Sequence, residues 1–263
     1  MQVISSKDNE LIKHIKKLKD KKYRDENNEY IIEGVKLVEE AVSEGAKIKH
    51  IIICENTTNT YEIPTNITLE MARYSCIYVT EKIFNSITQV TNPQGIMAIV
   101  EKSDNNDNID FTQDIIVILD DVQDPGNLGT ILRTLDSIGI NQVIVSNGTA
   151  DSYNAKVVRS TMGAIFRINI IKSDNLIETI KTTKRHHFKL IVTSLQAEQS
   201  LYDTDFNKKI IVIGNEANGV SKEIQEMADE KIKIPMLGRT ESLNASVATG
   251  IVLYEYVRQK LNK

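Results

Sequence analysis

The chain is poor in the residues that cross-link or anchor a protein. It has two cysteines in 263 residues, Cys54 and Cys76. Each sits at the edge of an apolar, strand-like run, and neither has a CxxC partner or a metal-ligand spacing to a histidine. Two reduced, partly buried thiols are expected rather than a disulfide framework. The pair His186-His187 follows the Lys/Arg-rich helix end KTTKRHHF and reads as a solvated turn, so no metal is implied. No run of eighteen apolar residues exists, and the first twenty residues lack the apolar centre of a signal peptide, so a cytoplasmic location is expected. The GxGxxG fingerprint of dinucleotide-binding folds is missing, as is any internal repeat.

What is present suits an ordinary globular protein. With 41% hydrophobic residues the chain can bury one large core or two modest ones, and its length favours two domains. The net charge of −4 argues against a polyanionic partner unless basic residues cluster. They do so once. Lys13, Lys16, Lys17, Lys19, Lys21, Lys22 and Arg24 fall within twelve residues that contain a single acid, Asp20. With Leu11, Ile12, Ile15 and Leu18 turned inward, these would project as a basic ridge. Taken alone, such a ridge is a solvated helix face more often than a nucleic-acid contact.

From Tyr30 to about residue 100, strand-like runs (YIIEG, IKHIIIC, CIYV, GIMAIV) alternate with helical ones, including one near Leu69, which reads as an α/β unit. Residues 101–113 (EKSDNNDNIDFTQ) offer almost nothing to bury and read as a linker. A second α/β unit, 114–263, begins with IIVILDD, a near-continuous apolar run of the kind covered on both faces. QVIVS, KLIVTSL and KIIVIGN repeat it, so a parallel sheet is expected.

Three loops at strand ends carry candidate chemistry. In DVQDPGNLGTILRTLDSIGI, Asp124-Pro125-Gly126 is a turn, Asn127 a good N-cap, and Arg133 lies off the buried stripe of the helix that follows. GNEANGVS follows the strand KIIVIG, with Glu216 between Gly214 and Gly219, and Gly214 would let a ligand approach the backbone. IPMLGRTESLNASVATG precedes the last helix, whose Leu243, Val247, Ile251, Tyr254 and Val257 share a face expected to be buried. Each loop alone is also an ordinary capped turn. Three at one sheet edge would build a site from Asn127, Arg133, Gly214, Glu216, Ser242 and Asn244.

In order and spacing, NLGTILRT, IGNEANGVS and IPMLGRTESLNASVA resemble the three motifs of the SpoU (TrmH) branch of the SPOUT RNA methyltransferases, and KVVRSTMGAIFRI is similar to the segment between them. Residues 1–100, including TNPQGIMAIV, are similar to the family's ribosomal-protein-like substrate-binding domain. The resemblance implies 2′-O-methylation of RNA ribose from S-adenosylmethionine, with ribosomal RNA favoured. It implies a deep trefoil knot threading Gly214 to Leu243 and a homodimer formed through that region. It implies a cofactor held by Gly214, Ile234, Met236, Gly238 and Leu243, with Asn127, Arg133, Glu216, Ser242 and Asn244 at the reaction.

Arg133 is expected to grip the phosphate beside the target ribose, because a guanidinium with a pKa above 12 does not ordinarily act as a base. Asn127 and Glu216 are expected to orient it and to organise proton loss. With RNA implied, Lys13, Lys16, Lys17, Lys21, Lys22 and Arg24 become candidate RNA contacts. Transfer RNA as substrate, and a non-catalytic RNA-binding role in ribosome assembly, stand as alternatives. A nucleotide- or NAD-dependent enzyme is disfavoured by the missing fingerprint.

Overall fold

A computed structural model describes residues 3–55, 73–103, 108–194 and 196–262. The expected helix near Leu69, and residues 104–107 of the expected linker, lie outside the described residues. The chain forms two compact units, one of residues 1–104 with 151–166, the other of 105–150 with 167–263.

The first unit is built on a mixed five-stranded sheet of β1 (Val3–Ile4), β2 (Glu29–Glu33), β3 (Ile48–Cys54), β4 (Cys76–Val79) and β5 (Ile96–Glu101), in the order β1-β4-β3-β5-β2. Strands β1, β4 and β3 run parallel; β5 is antiparallel to both β3 and β2. One face is covered by α1 (Glu10–Lys17) and α4 (Glu81–Ile87), which bring Ile12, Ile15, Ile83, Phe84 and Ile87 against Ile52, Met97 and Ile99. Helices α2 (Lys21–Asn27) and α3 (Val35–Ser43) complete the N-terminal part of the unit. Residues 151–166, with α6 (Ala155–Thr161), also belong to it. There Tyr153 packs on Tyr30 at 4.7 Å between ring centroids, which helps explain why all five residues of β2 are buried. Among the described residues neither cysteine forms a disulfide; Cys54 is buried and Cys76 half-buried.

The basic ridge is not one helix face. The chain turns at Leu18–Asp20 and restarts as α2, with Asp20 accepting the Tyr23 N–H as its cap at 3.1 Å. Arg24 does not project outward as expected. It is buried, donates to the carbonyls of Leu18 at 2.8 Å and Lys19 at 2.7 Å, and pairs with Asp151. A guanidinium has five donors and strongly disfavours burial without partners, so the turn between the helices folds around it. Lys16, Lys17, Lys19, Lys21 and Lys22 remain at least partly accessible to solvent, and Lys13 bonds Glu10 at 2.9 Å.

The second unit holds a fully parallel seven-stranded sheet. Its strands are β6 (Ile115–Leu119), β7 (Gln142–Ser146), β8 (Asn169–Ser173), β9 (Lys189–Thr193), β10 (Gln199–Ser200), β11 (Lys209–Ile213) and β12 (Glu230–Lys233), in the order β10-β12-β9-β11-β6-β7-β8. The helices are α5 (Pro125–Ser137), α7 (Leu176–Arg185), α8 (Lys222–Met227) and α9 (Ala245–Leu261). Strands β6, β7 and β11 are buried along their whole length, as their continuous apolar runs require.

Register places the site. Ile213 pairs with Leu119 and Ile232 with Thr193, so the carboxyl ends of β6, β11, β9 and β12 lie along one edge, where the loops at 120–127, 214–220 and 234–244 begin.

Two segments make contacts that composition alone does not announce. Residues 108–113 are not a free linker: Ile109 and Phe111 pack against the core, and the Asp110 N–H donates to Gln142 Oε1 at 2.9 Å. His186 and His187 form an exposed turn, as expected, and the His186 ring also stacks on Phe111 at 3.7 Å.

The last helix buries a different face from the one expected. Thr249, Val252, Leu253 and Tyr256 are buried, whereas Val247 and Tyr254 are 50% and 53% exposed. This helix is apolar on both sides, so periodicity alone could not choose between them.

Candidate functional site

Helix α5 starts one turn earlier than expected. Asp124, not Asn127, is its N-cap: the Asp124 carboxylate accepts the Asn127 N–H at 2.8 Å, and Pro125 occupies the first helical position, where its missing N–H costs nothing. This frees the Asn127 side chain, which is buried in the first turn. Its Nδ2 donates to Glu216 Oε1 at 2.9 Å, and its Oδ1 accepts from Asn244 Nδ2 at 2.8 Å. Three residues from three loops therefore meet directly.

Glu216 is held by the backbone as well. The N–H groups of Gln123 and Asp124 donate to its two oxygens, each at 3.1 Å. Burial pushes the carboxyl upward, but the hydrogen bonds from Asn127 and these N–H groups outweigh it and hold the group below the usual carboxylate range. Glu216 is thus ionised at neutral pH and only accepts hydrogen bonds.

The loop carrying Glu216 is a closed turn in which Asn215 and Gly219 exchange both backbone hydrogen bonds, at 2.9 Å each. The glycine at 214 is required by this turn. A Cβ there would lie 2.1 Å from the carbonyl carbon of Gly219. Gly219 itself has φ of +69°, which favours glycine.

Beside this turn lies a cavity of about 410 Å³, within the roughly 300–1,000 Å³ range of small-molecule pockets. Of the expected cofactor residues, Gly214, Ile234, Met236 and Leu243 line it; Gly238 does not, and open space surrounds its α-carbon. Glu216 and Ser242 line it too, so the cavity and the Asn127–Glu216–Asn244 contact share a wall. Ile232, Ile234, Met236 and Leu243 give an apolar side; Thr193, Ser194, Gln196 and Gln225 contribute polar groups that sequence reasoning missed. The signal was available in part, because TSLQ directly follows the strand KLIV at the sheet edge where open α/β sheets bind ligands.

Arg133 lies on the exposed side of α5, and its guanidinium pairs with no carboxylate among the described residues. It makes no hydrogen bond to Asn127 or Glu216, which bond each other instead. Asn244 caps α9, accepting from the N–H groups of Ser246 at 2.9 Å and Val247 at 3.4 Å, so that helix begins two residues after Leu243. Among the described residues no group of three or more His, Cys, Asp or Glu side chains is placed to hold a metal.

Comparison with known proteins bears on this site. Residues 114–254 match the SpoU rRNA Methylase family, and residues 9–98 match the MRM3-like substrate binding domain. The chain is 33% identical over 255 residues to the 23S rRNA (guanosine(2553)-2′-O)-methyltransferase RlmP of Bacillus subtilis, covering 97% of this chain and 98% of that one.

Among solved structures it is similar to an AdoMet-bound rRNA methyltransferase from Sinorhizobium meliloti, with a TM-score of 0.85, 31% identity and 98% of each chain covered. It is also similar to the SpoU methyltransferase AviRb from Streptomyces viridochromogenes in complex with AdoMet, with a TM-score of 0.84, 26% identity, and 96% of this chain and 98% of that one covered. With its parallel sheet, its cavity at the strand ends and its separate N-terminal unit, the chain belongs to the SpoU rRNA methylase family.

Proposed function

We propose that this protein methylates a ribose 2′-hydroxyl of large-subunit ribosomal RNA, using S-adenosylmethionine, with residues 114–263 as the methyltransferase domain and 1–100 as the RNA-binding domain. The observation that carries the reading is the shared wall: Glu216 lines the cavity while its carboxylate holds Asn127, which in turn holds Asn244. The names of the relatives, RlmP among them, support the substrate and the position methylated.

The residues present fit the cofactor. Its adenine needs an apolar seat, which Ile234, Met236 and Leu243 offer, and its amino-acid end needs hydrogen-bonding groups, which Thr193, Ser194, Gln196 and the backbone of the 214–219 turn offer. When bound, S-adenosylmethionine supplies an electrophilic methyl group. The protein then has to hold the ribose oxygen in line with it, and orientation of this kind can contribute on the order of 7–11 kcal/mol.

Arg133, exposed and without an ion-pair partner among the described residues, grips an RNA phosphate through its planar fork. Ser242 lines the cavity, and its assigned role is to approach the reacting groups there. Glu216 keeps Asn127 and Asn244 in place rather than acting on Arg133. A cytoplasmic location follows from a ribosomal RNA substrate, and among the described residues no helix is long and apolar enough to cross a membrane.

The knot and the dimer belong to the same reading. The chain leaves β12 beside β9 and returns as α9 against α5, next to β6, which supports a threaded path for Gly214 to Leu243. Val247, Tyr254 and Leu261 repeat at seven-residue spacing on the open side of α9, with Leu261 81% exposed, and this stripe suits a second copy of the chain. Light scattering that reports a monomer at micromolar concentration would count against the dimer.

The test of function is transfer of label from S-adenosylmethionine to ribosomal and transfer RNA lacking their own modifications, with R133A and R133K alongside. The expected result is alkali-resistant 2′-O-methyl nucleotide in 23S-type RNA, absent with R133A and reduced with R133K. Full activity of R133K would remove the bidentate grip. Label only in transfer RNA would move the substrate class, and cofactor-independent RNA binding without transfer would favour an assembly role.

A further inference from the structure

Asn244 meets two demands at once. Its Oδ1 accepts from the Ser246 and Val247 backbone N–H groups and, at 2.6 Å, from the Ser246 hydroxyl. Its Nδ2 donates to Asn127 Oδ1 at 2.8 Å. A side-chain amide has one acceptor atom and one donor atom, so bonds at both ends fix which way it points. The far end agrees. The Glu216 carboxylate can only accept, which forces Asn127 to present Nδ2 to it at 2.9 Å and to leave Oδ1 for Asn244. Backbone N–H groups and a hydroxyl at one end, and a carboxylate at the other, align two amides head to tail between them.

We propose that Ser246 is a positioning residue of this site: its hydroxyl pins the Asn244 amide so that the remaining Nδ2–H is presented as a donor to a phosphate or ribose oxygen of the RNA. This rests on the function proposed above. It also bears on the proton. Neither an amide nor the Ser246 hydroxyl is basic enough to take a proton at neutral pH, so the group that receives the hydroxyl proton lies outside the Ser246–Asn244–Asn127 chain.

The test uses the full-length protein with S-adenosylmethionine and unmodified 23S-type RNA. S246A keeps both backbone cap bonds, so thermal stability and KM for S-adenosylmethionine stay at the wild-type level while kcat falls by about tenfold. S246T restores the hydroxyl and recovers kcat. N244D retains a good helix cap but sets an oxygen against Asn127 Oδ1, and kcat falls further than in S246A without loss of stability. In an N127A background, S246A has no additional effect, because the chain is already broken.

Wild-type kcat in S246A, or an equal fall in the presence and absence of Asn127, overturns the proposal. A readout that needs no activity accompanies these: the side-chain amide resonances of Asn127 and Asn244 in ¹⁵N-labelled protein shift in S246A and return in S246T. If wild type transfers no methyl group to any RNA, the function fails while this spectroscopic result still decides the positioning, and unchanged resonances in S246A overturn it.

Discussion

Two arginines, one in each unit, carry the same charge and lead opposite lives. Arg24 lies in α2 with its guanidinium buried under the turn from α1, its two terminal nitrogens donating to two carbonyls and to Asp151. Arg133 stands on the exposed face of α5, and no described carboxylate pairs with it. Counting charges along a sequence treats them alike. A guanidinium whose terminal nitrogens are claimed inside the fold has little left for a phosphate, whereas one kept in water retains its fork for a ligand. Basic clusters therefore have to be sorted by what the backbone and the acids already claim.

The largest expected effects test this contrast by crossing two readouts. R24A leaves Asp151 and the Leu18 and Lys19 carbonyls without their partner, and breaking a buried pair from one side costs about 3–5 kcal/mol. Its chemical-denaturation midpoint should fall sharply, with methyl transfer by the molecules that remain folded largely preserved. R133A should leave stability within about 0.5 kcal/mol of wild type, as surface substitutions do, and abolish transfer. The comparison breaks if R24A is as stable as wild type but loses RNA affinity.

Glu216 extends the comparison into the catalytic unit, because it resembles Arg24 more than Arg133. Its oxygens are claimed by Asn127 and by two backbone N–H groups, and these bonds hold its pKa below the ordinary 4.5 despite burial. For a carboxyl lowered on folding, the stabilising contribution is present above the unfolded value and is lost as pH falls through the folded one. The stability of wild type relative to E216Q should therefore be constant above about pH 5 and should shrink below pH 4.5, as read by urea midpoints across that range. A difference that instead changes between pH 6 and 8 would mean a raised carboxyl, and would return Glu216 to candidacy as the proton acceptor.

Much of this was legible in the sequence, and what was not has definable causes. The parallel sheet was readable because IIVIL, QVIVS, KLIVT and KIIVI are each continuous apolar runs, a pattern that helices on both faces impose. The three loops could be placed at one edge because parallel strands share their carboxyl ends. Nothing local distinguished the buried face of α9 from the open one, since both carry apolar residues. The cap of α5 is ambiguous in the sequence because Asn127 and Asp124 are equally good caps by type, and only the fixed φ of Pro125 favours the earlier start. The inclusion of residues 151–166 in the first unit rests on Arg24–Asp151 and Tyr30–Tyr153, contacts across more than a hundred residues that no pattern announces.

The smallest expected effect concerns the lysines that Arg24 leaves behind. Lys16, Lys17, Lys21 and Lys22 keep access to solvent on the two short helices, with Lys17 5.5 Å from the Tyr23 ring and Lys22 only 3.9 Å from Glu26 in an exposed pair worth little. None is tied down as Arg24 is. If they meet phosphates, each releases counterions on binding. Replacing one by glutamine should then reduce the slope of log affinity against log salt by about 1 and weaken binding alike for all RNA sequences. Stability should not move, which separates these variants from R24A. A lysine variant whose slope is unchanged marks a residue that only solvates the surface, and four such variants would leave RNA affinity to Arg133 and other parts of the chain.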